Sequence, residues 1–257
     1  MIADFDERFT AAVQAFWTGR DAQQKKQQST GRTDAGLRGA VTGGRHIEAL
    51  EDLVSDVLIA CAVPANAIFK NTKLELPGYY RAEKRWDLLV VANNRLHMAI
   101  EFKSQVGPSF GNNFNNRTEE AIGNADDLLR ALQERSLGET AAAPFLGYMF
   151  LLEDCDAVHD TVGLEEPHFP AEKAFLAHPP RTQKKLHTML RSGVGYASRY
   201  ELLIGRLLLE KKYDAGCLTL ATRAIPTAIR FPNRNLSART FISKLEGFAI
   251  GAVQAGL

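Results

Sequence analysis

The sequence predicts an α/β fold with a mixed central β-sheet flanked by helices, in one domain spanning residues 1–257. Two observations carry that expectation. Residues 85–103 form two apolar runs around a polar turn, the pattern of a β-hairpin, and a continuous apolar run of strand length follows at 144–152. Segments of helical periodicity stand on either side of both. A chain of 257 residues can bury a sizeable core, and 45% apolar with 24% charged residues is ordinary for a globular protein. No apolar run approaches the length of a bilayer span, and the N-terminus lacks a basic and an apolar region of signal-peptide type. Cys61, Cys155 and Cys217 are odd in number and far apart, which suits free thiols in a reducing compartment. The expectation is a cytoplasmic protein with no membrane partner.

In chain order, Phe5, Phe9, Ala12, Val13 and Phe16 recur at helical spacing, so residues of about 2–28 read as an amphipathic N-terminal helix with a polar tail. Residues of about 29–44 are rich in Gly and Thr and too poor in apolar side chains to pack alone, which predicts a mobile loop. A second helix runs from His46 to Leu58, with Ile47, Leu50, Val54, Val57 and Leu58 as its buried stripe and Pro64 bounding it. Glu48 stands beside that stripe, while Glu51 and Asp52 face solvent or the edge of a site. Residues 67–80 read as irregular. Past the hairpin, 104–117 reads as a polar loop, and Thr118 caps a helix to about Arg135 with Glu119 and Glu120 in its first turn. Pro144–Leu152 is a buried strand beside the hairpin, and the acidic stretch with Pro167 and Pro170 is a surface excursion. Helices over Arg181–Arg191 and Ser198–Tyr213, strands over Cys217–Thr222 and Thr227–Phe231, and a last helix from near Ser237 complete the chain.

The net charge of +1 hides a segregation along the chain. Between Asp214 and Glu246 stand Arg223, Arg230, Arg234, Arg239 and Lys244 with no acid, whereas Glu119–Glu172 is acidic. Such segregation allows a basic face for nucleic acid, and solvated helix faces account for it equally well.

The hairpin carries the chemistry. With Asn93, Asn94 and Arg95 as a three-residue loop, residue 87 stands opposite 101, 89 opposite 99 and 91 opposite 97. Side chains alternate along strands, so Asp87, Glu101 and Lys103 share one face, with His97 nearer the turn. Trp86, Leu88, Val90, Leu96, Met98, Ile100 and Phe102 form the other, apolar face. A two-residue turn would put Asp87 and Glu101 on opposite faces and end the arrangement. Two carboxylates and an amine on one face suit phosphodiester hydrolysis, because a hard cation such as Mg2+ selects carboxylate and water ligands. Asp87 and Glu101 are the candidate ligands, with the Ile100 or Phe102 carbonyl as a third. Lys103 orients or polarises the attacking water, and Glu48 holds a second metal or a metal-bound water. In the segment beyond Lys103, Gln105, Asn113, Asn115, Asn116 and Arg117 are candidates for DNA contact, since amides pair with adenine and Arg with guanine. The plainer alternatives are an edge hairpin with a surface salt bridge, and a loop that uses Asn for its turn geometry. No competing nucleophile, dinucleotide or phosphate-loop motif is present.

The hairpin ending Glu101-Phe102-Lys103-Ser104-Gln105 resembles the PD-(D/E)xK nuclease signature, with Trp86-Asp87 in place of Pro-Asp. More narrowly, the stretch from Glu101 through the Asn-rich segment to Ala125 resembles the XhoI-type restriction endonucleases, as does the segment from Arg199-Tyr200-Glu201 to Lys212-Tyr213-Asp214-Ala215. The resemblance implies a PD-(D/E)xK core and a Mg2+-dependent homodimer cutting double-stranded DNA at the palindrome CTCGAG to leave 5′ overhangs. It implies metal-ligand roles for Asp87 and Glu101, the lysine role for Lys103, and a cognate DNA methyltransferase acting on the same site. Glu48 carries over from the helix acid of the wider superfamily. Two other readings are a repair or junction-resolving nuclease on the same scaffold and a non-catalytic DNA-binding module.

Overall fold

A six-stranded sheet is the middle layer of the protein, and helices cover both of its faces. The structure is a computed structural model and describes residues 2–29, 47–70, 74–137, 143–165, 168–177 and 190–257. The helices are α1 (Phe5–Ser29), α2 (Glu48–Ala60), α3 (Phe110–Gln133), α4 (Asp156–His159), α5 (Tyr196–Leu209) and α6 (Ala238–Gln254). The strands are β1 (Ile68–Lys70), β2 (Glu75–Pro77), β3 (Glu83–Arg85), β4 (Leu88–Ala92), β5 (Arg95–Gln105), β6 (Phe145–Glu153), β7 (Val162–Glu165), β8 (Leu190–Gly193), β9 (Ala215–Ala221) and β10 (Ile229–Arg230). The central sheet has the order β1-β4-β5-β6-β9-β10. It is parallel across β5, β6 and β9 and antiparallel at both margins, a mixed sheet as expected.

The burial of each strand follows from its place. In β6 every residue but Glu153 is buried, because both faces of this central parallel strand are covered. One face packs on α1, α2 and α6, with Phe16, Trp17, Val57, Leu58, Phe241 and Leu245 against Leu88, Met98 and Ile100. Gly147 lets α6 come close, since a Cβ there would lie 2.8 Å from the Phe241 ring. The other face packs on α3 and α5, where Phe150 stacks on Tyr200 at 4.2 Å and Phe114 meets the same ring edge-on at 5.0 Å. The Ser237 hydroxyl accepts from the Thr240 amide and caps α6.

Several elements differ from the sequence-based expectation. Within 67–80, expected to be irregular, Ile68–Lys70 is the edge strand β1, and Glu75–Pro77 is β2, which pairs with β3 as a small separate hairpin. The Asn-rich stretch is helix, because α3 starts at Phe110, and Thr118 bonds back to the Phe114 carbonyl from within it. Phe110, Phe114, Ala121, Ala125 and Leu128 form a buried helical stripe that overrides the turn preference of the intervening Asn residues. The loop expected over 29–44 and most of the helix expected over 181–191 lie outside the described residues. At the end of that helix, Leu190–Gly193 is strand, paired with β7.

The β4–β5 turn has two residues, with Ala92 opposite Arg95 and Asn93 and Asn94 at φ 53° and 56°. Alone, that turn would reverse one set of side chains. A β-bulge prevents it: Val90 faces Met98 but Val91 faces Leu96, so His97 is the extra residue. Beyond the bulge Leu88 faces Ile100, the pairing expected for a longer turn. Between bulge and turn the faces exchange, so Leu96 joins the α3–α5 side with Leu89, Ala99 and Trp86. The apolar face facing α2 therefore keeps Leu88, Val90, Met98, Ile100 and Phe102 but neither Trp86 nor Leu96. Asn94→Ala is expected to destabilise the protein by about 1 kcal/mol, because alanine disfavours positive φ, whereas Asn94→Gly should not. The denaturant midpoints of the two variants measure this.

Candidate active site

Asp87 directly precedes β4, and its Oδ2 accepts from the Phe102 amide of β5 at 2.7 Å. Glu101 stands opposite on β5, 2% exposed, with Tyr148 of β6 beside it in register. Lys103, two residues on, pairs with Glu101 Oε1 and lies 3.6 Å from Asp87 Oδ2. The three side chains expected to share a face thus meet, with α3 passing over them: the Asn124 amide donates to Glu101 Oε1 at 3.4 Å.

Lys84 is the group that sequence reasoning missed. From β3 its Nζ reaches Glu101 Oε2 at 2.8 Å, donates to the Arg85 carbonyl at 3.0 Å, and lies 4.4 Å from the Trp86 ring centroid. In sequence it belongs to Glu83-Lys84-Arg85, which reads as a solvated charge run. Only the β2–β3 hairpin turns it inward. That hairpin is latched to α3 through Asp127, which accepts from the Tyr79 and Tyr80 amides at 2.9 and 2.7 Å and pairs with Arg81 at 2.9 Å. Arg81 also reaches Asn124 Oδ1 at 3.3 Å. Asn124 was likewise hidden, although it stands seven residues after Arg117 and shares its side of α3.

Electrostatics separates the two acids. Burial and then the Glu101 charge raise the Asp87 pKa, against the pull of Lys103, the Phe102 amide and Lys84. Burial also works against a charge on Glu101, but the Lys103 and Lys84 ammoniums outweigh it and hold its pKa below the usual value. For Lys103, burial favours the neutral amine, yet Glu101 and Asp87 prevail and keep it protonated. The Tyr148 hydroxyl is buried close to this charge and has no hydrogen-bond partner among the described residues; burial first, then its tyrosine neighbours, raise its pKa well above the usual value.

The other expected site residues are distributed as follows. Glu48 is exposed in the first turn of α2, and Glu51, expected at the surface or a site edge, is the buried acid of that helix. Gln105 is buried, donating to the Phe110 carbonyl at 3.0 Å and accepting from the Tyr200 hydroxyl, so its amide tethers α3 and α5 to β5. Asn113, Asn115, Asn116 and Arg117 lie in the first two turns of α3; Asn115 and Asn116 are exposed and Asn113 is half-buried. Arg117 is largely buried, pairs with Glu120, and stands near enough to disfavour the Lys103 charge. Many cations of the C-terminal half pair with acids far away in sequence: Arg223 with Asp21, Arg230 with Asp154, Arg239 with Asp6 and Lys212 with Asp126. Among the described residues, these pairs reduce in space the charge segregation seen along the chain.

These shifts fix opposite pH signatures. Asp87, with its pKa raised on folding, opposes folding once ionised, and that opposition disappears as pH falls below its unfolded value. Glu101, with its pKa lowered, adds stability above its unfolded value and loses it as pH falls through the folded one. In EDTA at neutral pH, Asp87→Asn should therefore melt above the wild-type protein and Glu101→Gln below it. The Asp87 difference should shrink as pH falls toward about 4, whereas the Glu101 difference should persist to about pH 4.5 and shrink only below it, as thermal denaturation across that range will record.

The family model of restriction endonuclease XhoI matches residues 26–231. The chain is 39% identical over 202 residues to the type II restriction enzyme BstVI of Geobacillus stearothermophilus, covering 77% of this chain and 82% of that protein. It is 42% identical over 179 residues to the type II restriction enzyme AbrI of Azospirillum brasilense, covering 69% and 80%. To the type II restriction enzyme XhoI of Xanthomonas vasicola it is 37% identical over 211 residues, covering 81% and 77%. No solved structure matches significantly. The matched span takes in the bulged hairpin, its three convergent charged residues and both helices packed over them, and the chain belongs to the restriction endonuclease XhoI family.

Proposed function

We propose that the protein is a type II restriction endonuclease that hydrolyses both strands of double-stranded DNA at a short palindrome. The observation that carries this is the meeting of Asp87, Glu101 and Lys103 at one point of a sheet buried on both faces, in a chain of that family. By resemblance the site is CTCGAG, the cofactor Mg2+, and the products 5′-phosphates on 5′ overhangs. The same resemblance supports a single-domain protomer, a homodimer whose two-fold axis matches the palindrome, and a cognate methyltransferase protecting the site.

The residues fit a hard divalent cation. Two carboxylates converge, and the burial and mutual repulsion that raise the Asp87 pKa are what a cation relieves. Among the described residues no third His, Cys, Asp or Glu joins them, which leaves the Ile100 or Phe102 carbonyl, water and the phosphate itself to complete the shell. Mg2+ when bound supplies charge stabilisation at the phosphate and acidifies its water. Asp87 and Glu101 would hold it. Lys103, kept protonated by the same carboxylates, donates to the attacking water or the phosphate and so orients the attack in line with the leaving 3′-oxygen. The buried Phe102 amide bond keeps Asp87 in place before substrate arrives. Asn113, Asn115, Asn116 and Arg117, one helix start away, are the proposed DNA contacts, and Glu48 or the buried Glu51 is the proposed helix acid.

The test is a digest of a fully sequenced plasmid with Mg2+, followed by sequencing of the ends. Cleavage at one discrete sequence with staggered 5′ ends is expected, as is its loss in EDTA. Asp87→Asn and Lys103→Ala should each lower the cleavage rate by about 1,000-fold or more while retaining DNA binding in a gel-shift assay. Intact plasmid across a range of divalent metals, or nicking indifferent to sequence, would overturn this reading.

A further inference from the structure

Both oxygens of the buried Glu101 carboxylate carry an ammonium group: Lys103 on Oε1 and Lys84 on Oε2. With Asp87, the four side chains hold two negative and two positive charges, so the cluster is neutral as it stands. A divalent cation added to this set would leave two uncompensated positive charges around a carboxylate that is 2% exposed. One ammonium therefore has to leave Glu101, and the geometry distinguishes the two. Lys103 is fixed two residues along the same strand and also faces Asp87. Lys84 comes from the separate β2–β3 hairpin, and its second bond to the Arg85 carbonyl and its place over the Trp86 ring do not involve Glu101. The hairpin's latch to α3 through Asp127 is likewise independent of Lys84, so the lysine can release Glu101 while its strand stays in position.

We infer that Lys84 is a positioning residue that occupies the free oxygen of Glu101 and must be displaced before a divalent cation binds. Resting on the reading of Asp87 and Glu101 as metal ligands, this makes the DNA-free protein a poor metal binder. An incoming phosphate, by adding negative charge, offsets the surplus and favours the exchange of ammonium for metal. Lys84 thereby ties metal loading to the presence of substrate. A purely structural salt bridge would instead support the fold and leave metal affinity unaffected.

The experiment is a Mn2+ titration of the full-length protein without DNA, reading free Mn2+ by electron paramagnetic resonance, with circular dichroism as the check on folding. Lys84→Met keeps the stem over Trp86 and removes the charge; Lys84→Ala serves should methionine not be tolerated. The neutral variant should bind Mn2+ about tenfold or more tightly than wild type, since one positive charge in contact with the ligand set is gone, and Lys84→Arg should stay near wild type. Equal or weaker binding by the neutral variant, with binding still lost in Asp87→Asn, overturns the inference and leaves the metal reading intact. Absence of Mn2+ binding in every protein up to millimolar concentration overturns both.

Discussion

An ionised carboxylate inside a protein has to be matched by charge or hydrogen bonds, because its loss of hydration otherwise exceeds what packing returns. Glu101 sits in that position, in the middle of a central strand and under a helix. Its partners come from four places: Lys103 on its own strand, Lys84 on the small hairpin, Asn124 on α3, and Asp87 across the β4–β5 pair as the acid whose repulsion it shares. Much of the surrounding architecture serves to bring them together. The latch of Asp127 holds the hairpin that supplies Lys84, Gln105 ties the end of β5 to α3 and α5, and the Phe102 amide holds Asp87. Pre-organisation of this kind suits a nuclease of the XhoI family, since Asp87, Glu101 and Lys103 are held together before substrate arrives.

The second constraint is register, and here two irregularities cancel. A two-residue Asn93-Asn94 turn shifts the pairing by one residue relative to a longer loop, and the extra residue at His97 shifts it back. Side chains on paired strands alternate, so either feature alone would place Asp87 and Glu101 on opposite faces of the sheet. The bulge thus has a definite consequence for chemistry some four residues away. It also accounts for Leu96 leaving the α2 face for the α3–α5 face.

Charge is redistributed just as thoroughly. The basic C-terminal segments look like a surface for nucleic acid when read along the chain, but Arg223, Arg230 and Arg239 each meet an acid from distant sequence. The first two turns of α3 instead bring Arg117 near enough to act on the Lys103 charge, and Asn115 and Asn116 of the same turns are exposed. The Asn-rich segment keeps its proposed DNA-facing role as a helix start rather than a loop.

By itself the sequence determined the mixed α/β class, the buried stripes of α1 and α2, the strand at β6, and the sharing of a face by Glu101 and Lys103; that Asp87 joins them depends on the bulge. Each follows from a periodicity or spacing carried within a short window, and the run from Glu101 to Ala125 carried the family. Only the tertiary structure decided the rest, since those features rest on partners far apart in the chain. Lys84 reads as one charge in a solvated run until β2–β3 folds it toward a carboxylate seventeen residues on. Asn112–Arg117 reads as loop because local turn preference outweighs a helical stripe whose burial depends on α5 and the sheet. The bulge at His97 leaves no mark in the residue pattern: it exists because the apolar faces of β4 and β5 must both reach their layers of the core, and that demand arises only once the helices are in place on either side.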